Sequence, residues 1–134
     1  MNKKAKGYNF LTASAIMDII LALGSLLLVV ILQNESSSEL YKSIGISAKE
    51  GLLGLFGFYA ILILHAINAA VAFMTRNKPE SWKTPYILSI FMVLLVCLTT
   101  NWSALNIINV AIPLIPPCFM MSGATMNKKQ TQEQ

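Results

Sequence analysis

A chain of 134 residues with 55% hydrophobic and only 12% charged side chains cannot cover a globular surface, for which about 25% charge is usual. Much of its surface must therefore face something other than water, and the length allows one domain. The excess of 10 Lys+Arg over 6 Asp+Glu does not point to nucleic acid, because the basic residues stand at the ends of apolar runs and form no stripe that could neutralise phosphates.

The pattern predicts an all-α membrane protein of four transmembrane helices in an antiparallel bundle. About 20 apolar residues cross the hydrocarbon core. Residues 10–32 supply the first span, after Lys3, Lys4 and Lys6. The run exceeds the apolar core of a signal peptide and lacks a cleavage-like site behind it, so it is expected to stay as a helix. The outer loop, 33–50, starts polar. Its Leu40, Ile44 and Ala48 recur at helical spacing, as in a short turn lying on the membrane surface. Asn34-Glu35-Ser36 matches a glycosylation sequon, a pattern frequent by chance.

Ser47 and Glu50 form a capping box before the second span, 51–74. The inner loop, 75–84, ends at Thr84-Pro85, an N-cap and first-turn proline for the third span, 85–102. A tight turn at Asn101 leads into the fourth, 103–122, with Ser103 as its cap and Gly123 suited to its C′ position. Alternate sides of the membrane then hold eight and two Lys+Arg. The positive-inside rule places both termini in the cytoplasm of a multi-pass plasma-membrane protein.

Asp18 is the only acid within a span, and at depth it should face protein or water. A rise of 1.5 Å per residue puts Asp18 and His65 about 12 and 13 Å from the inner side, with Asn68 one turn nearer it. Ala15, Asp18, Ala22 and Ser25 make a small, polar stripe on helix one. Gly54, Gly57, Ile61, His65, Asn68 and Ala72 make one on helix two. Small residues permit close approach in lipid, so these two helices are expected to pack together, Asp18 meeting His65 or Asn68. The pair reads as a register-fixing clasp, the commoner use of such groups, or as a protonation site.

Asn101, Asn106 and Asn109 form an outer polar cluster, explained by caps and interhelical hydrogen bonds or by a vestibule. Pro113, Pro116 and Pro117 each remove a backbone donor, so helix four should kink or partly unwind there. Cys97 and Cys118 fall in apolar runs, as small buried hydrophobes do. One His, one span Asp and two such Cys provide no metal set, nucleophile elbow or phosphate loop, so neither enzyme chemistry nor a cofactor is indicated.

The basic start, a first span like FLTASAIMDIILALGSLL, the inner turn Arg76-Asn77-Lys78-Pro79 and the final Ile112-Pro113-Leu114-Ile115-Pro116 leading to Asn127-Lys128-Lys129 together resemble small four-helix membrane proteins of unknown function from Gram-positive bacteria. The resemblance covers most of the chain and implies a membrane location without an activity. Small multidrug transporters also carry an acid in helix one, but their Glu lies in a local motif absent around Asp18.

The reading is a non-enzymatic accessory, immunity-type or regulatory subunit whose partners are the bilayer and another membrane protein or itself. A small oligomeric proton-coupled transporter or channel using Asp18 and His65 is the alternative, and a holin-like pore former the third.

Overall fold

A computed structural model describes residues 4–34, 48–99 and 107–133; the side chains of 28, 31–34, 48–58, 99 and 107–110 stand outside that description. Four α-helices account for nearly all of these residues, and none of the described residues lies in a strand. They are α1 (Tyr8–Asn34), α2 (Ala48–Thr75), α3 (Lys83–Thr99) and α4 (Ile107–Gln132), with a single 3-10 turn at Pro79–Ser81. The chain divides into two compact units, one of residues 1–18 and 67–134 and one of residues 19–66.

Two described segments are long and apolar enough to cross a membrane, Tyr8–Leu27 and Pro79–Leu98, and Tyr59–Thr75 is a shorter apolar helix.

The boundaries correct the sequence reading in three places. The third helix does not begin on a Thr84 cap. The 3-10 turn runs straight into it, and the Tyr86 amide donates to the Trp82 carbonyl at 3.2 Å. Thr84 and Pro85 therefore sit inside the first turn, where proline is tolerated because its missing N–H has no intrahelical acceptor. The fourth helix does not stop at Gly123 but runs on to Gln132. Nor do Pro113, Pro116 and Pro117 unwind it, since they lie inside one continuous α-helix. Each proline removes one rung of the ladder without preventing the next turn from closing.

The anticipated caps at Ser47 and Ser103, Asn101 and Asn106 of the outer polar cluster, and most of the outer loop lie outside the described residues. Asn109 falls on α4, its side chain undescribed.

In the larger unit all four helices meet. Leu11 and Ala15 of α1, Ala72 of α2 and Met120 of α4 are fully buried together, with Val71, Phe73 and Leu88 packed against them. The contacts of α1 with α4 descend in order. The Lys6 amide donates to Gln130 Oε1 at 2.7 Å, the Gly7 amide to Asn127 Oδ1 at 2.8 Å, and the Ser14 hydroxyl to the Pro116 carbonyl at 2.9 Å. Phe10 and Phe119 stack between them, their centroids 5.7 Å apart. The two helices are thus antiparallel.

Two glycines bring them close. A Cβ on Gly7 would stand 2.0 Å from the Gly123 carbonyl oxygen, and one on Gly123 2.8 Å from Leu11 Cγ. Gly123 serves close approach, not helix termination. The stripe foreseen for helices one and two is realised where Ala15 and Ala72 share the core, but Ile61, assigned to it, is 41% exposed.

Hydroxyls along the helices are satisfied locally. Thr12, Thr75, Ser122 and Thr125 each donate to the carbonyl four residues earlier, at 2.7–2.9 Å. Such bonds let polar residues occupy apolar surroundings with little cost.

Candidate functional site

The apolar core fixes the level at which the polar groups lie. One turn beyond it along α1 comes Asp18, three residues after Ala15. Because α4 runs antiparallel to α1, the equivalent turn there is Pro116, four residues before Met120. α2 runs the same way as α4. Arg76 stacks 5.2 Å from the Tyr8 ring centroid, and Ala72 meets Leu11 and Ala15. One further turn on α2 is Asn68. Helical periodicity therefore sets Asp18, Asn68 and Pro116 in one layer above the core.

All three are fully buried, as is Ser14. Ser14 is the joint of this layer. Its hydroxyl donates to the Pro116 carbonyl and stands 3.4 Å from Asp18 Oδ2. It thus ties the acid to the proline-bearing turn of α4, a link the sequence reading did not include. The i, i+4 spacing of Ser14 and Asp18 was the available signal.

Asn68 is fully buried, and neither its amide oxygen nor its nitrogen has a hydrogen-bond partner among the described residues. The direct Asp18–Asn68 clasp is therefore not formed. His65 is also buried, in the smaller unit. Of the two cysteines, Cys118 is exposed and not the buried hydrophobe expected, while Cys97 is half-buried. Among the described residues no three His, Cys, Asp or Glu side chains group as metal ligands would.

A second polar feature closes the end of the unit where the termini meet. Asn127, fully buried, accepts from the Gly7 amide, an orphan donor at the start of α1 that a local cap would otherwise satisfy. Lys6 pairs with Glu133 just beyond. Asn127 sits in a polar tail that reads as solvated. Only its place four residues after Gly123, on the same helical face, hints at its role.

No family model, curated protein or solved structure matches this chain. Side chains are distributed in part as the inverse of a water-soluble bundle. Only 22% of the Tyr8–Leu27 window and 17% of the Pro79–Leu98 window is buried against the rest of the chain. Ile20, Leu23, Leu27, Ile87 and Leu98 are exposed, while Ser14, Asp18, Asn68, Ser89 and Asn127 are buried.

Proposed function

We propose that this chain is a multi-pass integral membrane protein of four spans with both termini cytoplasmic, acting as a non-enzymatic accessory, immunity-type or regulatory subunit through helix contacts within the bilayer. The inverted distribution carries the membrane part of this reading. Leu98, 83% exposed, and its apolar neighbours would cost about 25 cal/mol per Å2 in water and nothing in lipid. Polar groups turned inward are what a hydrocarbon solvent requires. The orientation rests on charge, since Lys4, Arg76, Lys78, Lys83, Lys128 and Lys129 all lie at the end where the termini meet.

The chain should remain with the membrane after alkaline carbonate extraction. In a background lacking Cys97 and Cys118, Ser37→Cys should react with an impermeant maleimide on intact cells and Lys78→Cys only after permeabilisation. Carbonate release would remove the membrane reading, and reversed labelling the orientation.

Subunit action is favoured over transport because intramembrane polar contacts commonly serve packing, each contributing about 0.6 kcal/mol. Transport has one observation on its side, the buried carboxylate of Asp18 one turn above the core. Asp18→Asn separates the two. An amide of similar size still accepts from Ser14 and spares a buried charge, but it cannot carry a proton. The variant is expected to insert, fold and keep the wild-type phenotype, and neither protein should move protons into liposomes holding a pH dye. Proton uptake by wild type that Asp18→Asn abolishes would instead establish the transporter.

A further inference from the structure

The end of the larger unit where the N-terminus, the 76–83 connection and the C-terminus meet has more cations than it can pair. Lys6 is bound to Glu133. Glu80 is the other carboxylate on this rim, and it pairs with none of the remaining lysines or Arg76. Most of these side chains extend into solvent, but three are held, Lys128 by the Trp82 ring at 4.9 Å from its centroid and two others by a shared ring. The Arg76 guanidinium stands 4.8 Å from the Phe73 ring centroid and 5.2 Å from that of Tyr8. Lys4 Nζ stands 4.6 Å from the same Tyr8 ring.

One ring thus gathers two cations, separated by no more than about a Debye length, ~10 Å. Each is attracted by the ring quadrupole, but they repel each other, and among the described residues no carboxylate pairs with either. An anion bound between them would. A phosphodiester suits the place, because its oxygens accept from a guanidinium fork and an ammonium together. What surrounds the pair selects the source of that phosphate. On the membrane reading, the pair stands at the end of the apolar helices where the headgroups of the cytoplasmic leaflet lie. A phospholipid headgroup is the phosphodiester met at that level.

We propose that Lys4, Tyr8 and Arg76 form a headgroup site for an anionic phospholipid of the cytoplasmic leaflet. The proposal rests on the membrane reading above, and its test keeps the two apart. The full chain, purified in detergent, would be mixed with equal phosphatidylglycerol and phosphatidylcholine and examined by native mass spectrometry. Wild type should retain phosphatidylglycerol preferentially, and the same lipid should raise its thermal midpoint.

The double variant Lys4→Gln/Arg76→Gln should lose retention by roughly tenfold or more, since each basic side chain near an anionic headgroup contributes about 1 kcal/mol. Lys129→Gln on the same rim should not. Arg76→Lys, which keeps the charge and loses the fork, should fall between, and far-ultraviolet circular dichroism would verify that each variant folds. Equal retention of the two lipids, or undiminished retention by the double variant, overturns the site while leaving the membrane reading intact. Displacement by millimolar inorganic phosphate also overturns it, in favour of a free-anion site. Release by carbonate removes both.

Discussion

Gly7→Ala should destabilise the folded chain by about 3 kcal/mol or more, at or beyond the upper end of overpacking effects, whereas Gly24→Ala should leave stability unchanged or raise it by up to about 1 kcal/mol. The contrast follows from what each new methyl would meet. On Gly7 it would stand 2.0 Å from the Gly123 carbonyl oxygen and 2.7 Å from Asn127 Oδ1. The first is a backbone atom of a long helix and cannot rotate away, so α1 and α4 must separate. Separation also breaks the Gly7–Asn127 bond and loosens Leu11 against Gly123. On Gly24 nothing lies within 4 Å, and alanine merely replaces the poorest non-proline helix former. Thermal unfolding of both variants in one detergent gives the comparison directly. Equal effects at the two positions would show that α1 and α4 do not approach through these glycines.

Asn68→Leu is expected to stabilise, by about 1–3 kcal/mol, the range by which an unsatisfied buried polar group penalises a fold. Leucine has the branched shape and the four side-chain heavy atoms of asparagine, with bulkier methyl groups, and asks for no partner, whereas the Asn68 amide lies fully buried with both polar atoms unpaired. A residue kept at such a penalty invites a functional explanation, because stability and activity commonly oppose each other at working sites. The measurement is therefore double. Thermal midpoint should rise, and if the polar layer of Ser14, Asp18 and Asn68 does the protein's work, the phenotype should weaken at the same time. A loss of stability of more than about 1 kcal/mol would show that the amide has a partner in the folded protein and that the layer is satisfied.

The presence and approximate positions of the four helices were legible in the chain, because apolar runs of 18 to 24 residues bounded by charge admit little else. The special nature of Asp18, His65 and Asn68 was legible for the same reason, since a polar residue in such a run has to turn away from lipid or be paired. That helix one lies against α4 as well as α2 was not. Its stripe of small residues is compatible with any neighbour that also offers small residues, and Gly54, Gly57 and Ala72 looked as good as Gly123 and Ala124.

Local rules also misplaced Gly123 and left two outcomes open at the prolines. Glycine after an apolar run more often ends a helix than serves a contact, and three prolines within five residues kink a helix or partly unwind it. Whether either happens depends on what lies alongside. Here the Ser14 hydroxyl reaches the Pro116 carbonyl, and Leu11 fills the space beside Gly123.

By itself the amino-acid sequence determined that this protein is helical, that its polar residues are few and confined, and that its positive charge collects at the ends of alternate runs. These are properties of composition and period, which each segment carries alone. Only the tertiary structure decided that α1 lies against α4, that Asn127 caps α1 from the far end of the chain, that Ser14 joins Asp18 to α4, and that Lys4 and Arg76 share one tyrosine ring. Each of these depends on two segments 60 or more residues apart in sequence. Their meeting is set by shape complementarity at a few atoms, and no single segment encodes it.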